Sequence, residues 1–117
     1  MLMSRYSVEY YTTESGRCPV EEFIDKLSQK TQAKVFYYLT QLEYAGLQLG
    51  PPALAKIDDV LWELRIIADN TKIRIFFSLE KSAFIMYHAL KKKQQKLPKT
   101  DIETAKNRWQ RYKSETK

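Results

Sequence analysis

Two periods organise this chain. From Pro19 to Tyr44 and again from Thr100 to Tyr112, apolar residues recur every three or four positions, whereas from Val60 to Leu90 they recur every second one. The first spacing builds one face of an α-helix and the second one face of a strand. Ser7 to Tyr11, short and aromatic, predicts a first strand that ends in the polar turn Thr12-Thr-Glu-Ser-Gly16. A helix follows: Pro19 suits a first helical position, Glu21 and Glu22 suit the positive end of the dipole, and Val20, Phe23, Ile24 and Leu27 form one stripe. Ser28 interrupts it. A second helix is predicted over 31–44, with Val35, Tyr38, Leu39 and Leu42 on its stripe and Gly46 as its stop, and the two make a hairpin.

After the Gly50-Pro51-Pro52 corner the alternation begins. Val60 to Ile67 sets Trp62, Leu64 and Ile66 against Leu61, Glu63 and Arg65. Ala68-Asp-Asn-Thr71 reads as a hairpin turn, and Lys72 to Leu79 sets Ile73, Ile75 and Phe77 against Lys72, Arg74, Phe76 and Ser78. Glu80-Lys-Ser82 turns the chain into Ala83 to Leu90. The three strands predict an antiparallel meander with one face on helices and one open. Thr100-Asp-Ile-Glu103, after Pro98, reads as a capping box for a terminal helix with Ile102, Ala105, Trp109 and Tyr112 on its stripe. The order βααβββα gives an α+β domain spanning residues 1–117, with its helices expected on one side of a small antiparallel sheet.

Charge adds the next constraint. Residues 1–60 hold six Lys and Arg against eight Asp and Glu, net −2, and residues 61–117 hold fourteen against six, net +8, so the whole +6 excess lies in the second half. His88-Ala-Leu-Lys-Lys-Lys-Gln-Gln-Lys-Leu-Pro-Lys99 carries five lysines, the only histidine and no acid. Such a segment after a strand reads as a polyanion site, against the alternative of a solvated loop. The lone Cys18 cannot pair within the chain, and one thiol with one histidine makes no structural zinc site. Chemistry without metal or cofactor is expected. The first residues lack a signal-peptide core, and no apolar run approaches the roughly 18 residues of a membrane span, so a cytoplasmic protein without a membrane partner is expected.

The alternation gathers Glu63, Arg65, Lys72 and Arg74 on one exposed sheet face, and the last strand delivers His88 and Lys91 to Lys93 near its end. This set has the types that RNA cleavage requires: Glu63 or His88 as base, Arg65 and Arg74 to stabilise the phosphorane, and a lysine or His88 as acid. The competing reading makes Glu63 and the arginines cross-strand ion pairs and His88 a structural residue, turned inward if it keeps the parity of Phe84 and Met86. Trp62, Phe77, Trp109 and Tyr112 read as core. Phe76 and Tyr87 read as sheet packing, with base stacking as the other option, and Cys18 as inert.

Cys18-Pro-Val-Glu-Glu-Phe-Ile-Asp25, Leu49-Gly-Pro-Pro52, Leu61-Trp-Glu-Leu-Arg65, Ile73-Arg-Ile-Phe76 and the His88 to Lys99 segment with Ala105-Lys106 occur in an order that resembles the phage-derived HigB-like branch of the RelE/ParE toxin superfamily. The resemblance runs from Tyr10 to Tyr112. It implies a RelE-like fold and the toxin of a type II toxin–antitoxin module. It also implies an mRNA endoribonuclease that acts on translating ribosomes and inhibits translation, with a helix-turn-helix antitoxin as partner. By position Arg65 and Arg74 match the family's strand arginines, and His88, Lys91 and Lys92 match the segment ending its last strand. Glu63 stands where several relatives carry a basic residue. Lys72, Lys92, Lys93, Lys96 and Lys99 are then expected to contact RNA. The other readings are a gyrase-inhibiting toxin of the ParE kind and a basic binding module without catalysis.

Overall fold

A computed structural model describes residues 4–92 and 98–116 of the chain. The strands are β1 (Ser7–Tyr10), β2 (Leu54–Lys56), β3 (Trp62–Ala68), β4 (Thr71–Glu80) and β5 (Ala83–Lys91), and the helices are α1 (Pro19–Asp25), α2 (Gln29–Ala45) and α3 (Lys99–Glu115). One sheet runs β1-β5-β4-β3-β2, with β1 parallel to β5 and every other pair antiparallel. The meander β3-β4-β5 is the predicted one. Its turns are two residues long, and Asp69 and Lys81 take φ of 55° and 58° there. The extra strand β2, which pairs Leu54 with Leu64, is three residues long and too short to show an alternation.

Val20 and Ile24 of α1, Leu27 just after it, and Val35, Leu39 and Leu42 of α2 bury against Leu64, Ile66, Ile73, Ile75, Phe77, Phe84 and Met86. Both helical stripes and the inward strand parity are therefore as predicted. Ser28 caps α2 by accepting from the Thr31 amide at 3.2 Å, which starts the helix before Thr31. Gly46 ends it at φ 61°, where a Cβ would stand 2.5 Å from the Tyr6 ring. Both the turn and this close approach demand glycine.

The helices do not share one side. Phe76, Ile85 and Tyr87 point away from the α1/α2 core and form a second core with Tyr11, Leu61 and Ala105, flanked by Ile102, Trp109 and Tyr112. The reason is in the alternation itself: the face expected to be open carries three large apolar side chains on β4 and β5, and the α3 stripe covers them. The capping box does not form either. Pro98 is the N-cap, with φ −64° and ψ 137°, and begins the helix at Lys99, so Thr100 lies inside it and Asp101 turns toward β5.

Polar contacts fasten α3 to the sheet. Glu80 accepts hydrogen bonds from Ser78 Oγ at 2.7 Å, Lys113 Nζ at 2.8 Å and Trp109 Nε1 at 3.1 Å. Lys106 pairs with Asp58, whose Oδ1 also caps the amides of Val60 and Leu61. Burial alone would raise the Glu80 carboxyl, but its hydrogen bonds from Lys113, Ser78 and Trp109 outweigh burial and hold it below the ordinary carboxylate range. A carboxyl lowered in the folded state adds stability above its unfolded value of about 4.3 and loses it as pH falls through the folded value. Urea titrations should thus show wild-type stability falling once pH drops below about 4.3, with Glu80→Gln falling less steeply. Equal pH slopes would remove Glu80 from the fastening of α3.

Candidate functional site

An extra residue in β5 sets the geometry of the site. Phe77 pairs with Met86 but Phe76 pairs with His88, so Tyr87 is a bulge and the parity of the strand reverses after it. Unbroken alternation would turn His88 into the α1/α2 core. The bulge instead places it beside Phe76, ring centroids 6.0 Å apart, under α3. Its Nε2 lies 2.6 Å from Asp101 Oδ1, and Arg108 Nη1, which donates to the Tyr87 carbonyl at 2.7 Å, lies 3.5 Å from its Nδ1. Both ring nitrogens are engaged by α3. The pair His88–Asp101 also ties the end of β5 to the start of α3, the two ends between which the lysine-rich segment runs.

On the same face Arg65 and Arg74 are direct cross-strand partners. Two cations in that position repel each other. Glu63, two residues before Arg65 and diagonal to Arg74, answers both: its Oε1 accepts from Arg65 Nε at 2.8 Å and its Oε2 lies 3.5 Å from Arg74 Nε. The expectation of an exposed cluster is corrected here, because Glu63 is only 3% exposed and Arg74 8%. β4 is the central strand, so Arg74 is flanked by Arg65 on one side and Leu90 on the other. Glu63 Oε2 and Arg74 Nε have no hydrogen-bond partner among the described residues and meet only as charges. The Arg65 side chain remains 41% exposed.

Burial lowers the Arg74 guanidinium from its ordinary value, with Arg65 adding to the effect and Glu63 opposing it; an arginine stays charged at neutral pH regardless. Lys92 is lowered by burial and then by Arg74, Arg65 and Lys72, again against Glu63. It therefore belongs to the same electrostatic cluster. Lys72 lies exposed on this face opposite Ile67. Lys91 pairs with Ile73 and so emerges on the opposite face, toward the helical hairpin. Lys99 is the first residue of α3, and Lys93 and Lys96 lie outside the described residues.

Phe76 and Tyr87 are fully buried, which rules out base stacking by either. Sequence reasoning passed over Asp101, Arg108 and Ile67. Ile67 is 59% exposed, and its signal was its parity, which is that of Glu63 and Arg65.

Residues 22–110, a stretch that contains Glu63, Arg65, Arg74, His88 and Lys92, match the phage-derived Gp49-like protein family (DUF891). The chain belongs to that family. Gp49-like proteins are RelE/ParE-like toxins of toxin–antitoxin systems, and the role carries with it a cognate antitoxin as partner. Comparison with curated proteins finds no match. No helix among the described residues of this Gp49-like chain is long and apolar enough to cross a membrane.

The buried pair in this Gp49-like toxin can be measured directly. Glu63→Met leaves Arg74 buried without a counter-ion and should cost about 3–5 kcal/mol in urea denaturation. Arg74→Met should cost less, because Glu63 keeps its hydrogen bond to Arg65, and the double variant should be more stable than Glu63→Met alone. Strictly additive losses would show that the two charges do not interact.

Proposed function

We propose that this Gp49-like toxin is a ribosome-dependent mRNA endoribonuclease of the HigB-like branch, acting in the cytoplasm. The observation that carries the reading is the convergence of Arg65, Arg74 and Lys92 around one buried carboxylate, which leaves the cluster two charges in excess. An excess of fixed cations on a sheet face suits the transition state of phosphodiester cleavage, in which negative charge grows on phosphorus-bound oxygen.

In this mechanism the RNA 2′-hydroxyl attacks the adjacent phosphorus and gives its proton to water. The bond to the 5′-oxygen breaks, and a 2′,3′-cyclic phosphate and a 5′-hydroxyl form. Arg65 and Arg74 stabilise the phosphorane. Lys92 donates the proton that the leaving 5′-oxygen needs, since an ammonium with a lowered pKa is the better acid. Glu63, with both oxygens committed to arginines, positions them and does not act as base. His88, engaged at both nitrogens, holds α3 against β5, and Lys72, Lys92, Lys93, Lys96 and Lys99 contact RNA. Much of the rate comes from orientation, which the ribosome supplies by presenting the mRNA strand.

Because Arg74 is buried, Arg65→Ala is the cleaner control. Induction of the wild type in cells should produce new mRNA 5′ ends confined to translated regions, as read by primer extension. Arg65→Ala should lower cutting by about 10²-fold in a protein that still folds, with a stability loss of about 1–3 kcal/mol for the Glu63 oxygen left without its donor. Growth arrest with intact mRNA would favour a gyrase-type target, and undiminished cutting by Arg65→Ala would displace the site.

A further inference from the structure

Beside the arginine cluster a groove of about 360 Å³ opens at the edge of β3. Arg65 and Arg74 border it on the sheet side, Ile67 continues that border, and Pro51, Pro52 and Tyr38 close it from the Gly50–Ala53 corner and α2. Sequence motifs brought the Leu49-Gly-Pro-Pro52 corner into view without giving it a task. The corner is tied to β3 by the Arg65 amide, which donates to the Ala53 carbonyl at 2.7 Å. Its position relative to Arg65 is thus fixed by backbone. Ile67 is the most exposed large apolar side chain among the described residues, and it stands between two cationic positions on its face, Arg65 and Lys72.

We infer that this groove holds one unpaired nucleotide of the RNA strand, its phosphate on Arg65 and Arg74 and its base against Ile67 and the Pro52 and Tyr38 walls. The inference rests on the reading of this face as RNA-binding and specifies which part of the strand the face grips. A nucleotide carries an anion and a flat apolar ring within one residue. Arg65 and Ile67 offer the two complements at neighbouring positions of one strand face, about 6.6–6.8 Å apart along β3. The groove's volume falls in the range of small-ligand sites. A base stacked on apolar side chains gains affinity with little regard for sequence, while an aliphatic contact of modest size distinguishes bases weakly. The groove therefore fits a gripping subsite for the strand more than a reader of a particular codon.

The test compares two fluorescent 2′-O-methyl oligonucleotides of equal length, which cannot be cleaved by 2′-hydroxyl attack, one with bases and one abasic. Anisotropy with the intact protein should show the base-bearing strand bound about tenfold more tightly than the abasic one. Ile67→Ser should lose that preference and keep wild-type affinity for the abasic strand, and Ile67→Tyr should restore or exceed it. Arg65→Ala should weaken both strands and flatten the salt dependence. Thermal melts of the exposed-site variants confirm that folding is intact. Equal wild-type affinity for the two strands, or a preference retained in Ile67→Ser, would overturn the proposal. So would an Ile67→Ser variant that loses antitoxin binding and keeps the preference for bases, since the groove would then be a protein interface. The two readings fail separately: a base preference that depends on Ile67, in a protein that leaves cellular mRNA intact, would sustain the groove and remove the nuclease.

Discussion

A single carboxylate makes the charged face of this protein possible. Arg65 and Arg74 stand opposite each other on neighbouring strands, and Arg74 is buried, so little water reaches its guanidinium to screen the repulsion. Glu63 reaches both nitrogens from the same face and converts a repulsive pair into a triad with one cation to spare. Paired this way, the burial of Arg74 is tolerable; unpaired, it would cost several kcal/mol. The price is an imperfect contact at 3.5 Å between Glu63 Oε2 and Arg74 Nε. Such a cluster holds its guanidiniums rigidly while leaving Arg65 accessible, which is what stabilisation of a transient anion requires.

The rest of the fold works around this face. One side of the sheet is closed by α1 and α2 and the other only partly by α3, whose apolar stripe covers Phe76, Ile85 and Tyr87. The bulge at Tyr87 decides where the second cover ends. By bringing His88 to the α3 side it gives the helix a polar anchor in Asp101 and Arg108, and beyond that anchor Arg65, Ile67 and Lys72 remain exposed. Packing and electrostatics are thereby separated along the same two strands. The end covered by α3 supplies stability, and the uncovered end presents charge.

What could be read from the sequence followed from periodicity. The stripes Val20-Phe23-Ile24-Leu27 and Ile102-Ala105-Trp109-Tyr112, the β3 and β4 alternation and the Asp69-Asn70 turn depend on local spacing, and all appear in the structure. Whether a face is open or covered depends on which distant element meets it, so the placement of α3 was not legible. Nor was the bulge, because one extra residue leaves no mark on composition while inverting every later side chain of β5. The same holds for burial of Glu63 and Arg74: their types and parity were evident, but their depth follows from the central place of β4. The capping motif misled because Thr100 to Glu103 satisfies the pattern equally well within the first turn of a helix that Pro98 starts.

The charged face depends on Glu63 as the shared anchor of two arginines. ¹⁵N–¹H correlation spectra of the arginine Nε–H groups, with their exchange rates near neutral pH, test this in solution without reference to activity. The Arg65 and Arg74 signals are expected to be protected in the wild type, and both should shift and exchange faster in Glu63→Gln. An Arg74 signal that keeps its position and protection in that variant would contradict the claim that the carboxylate organises this face.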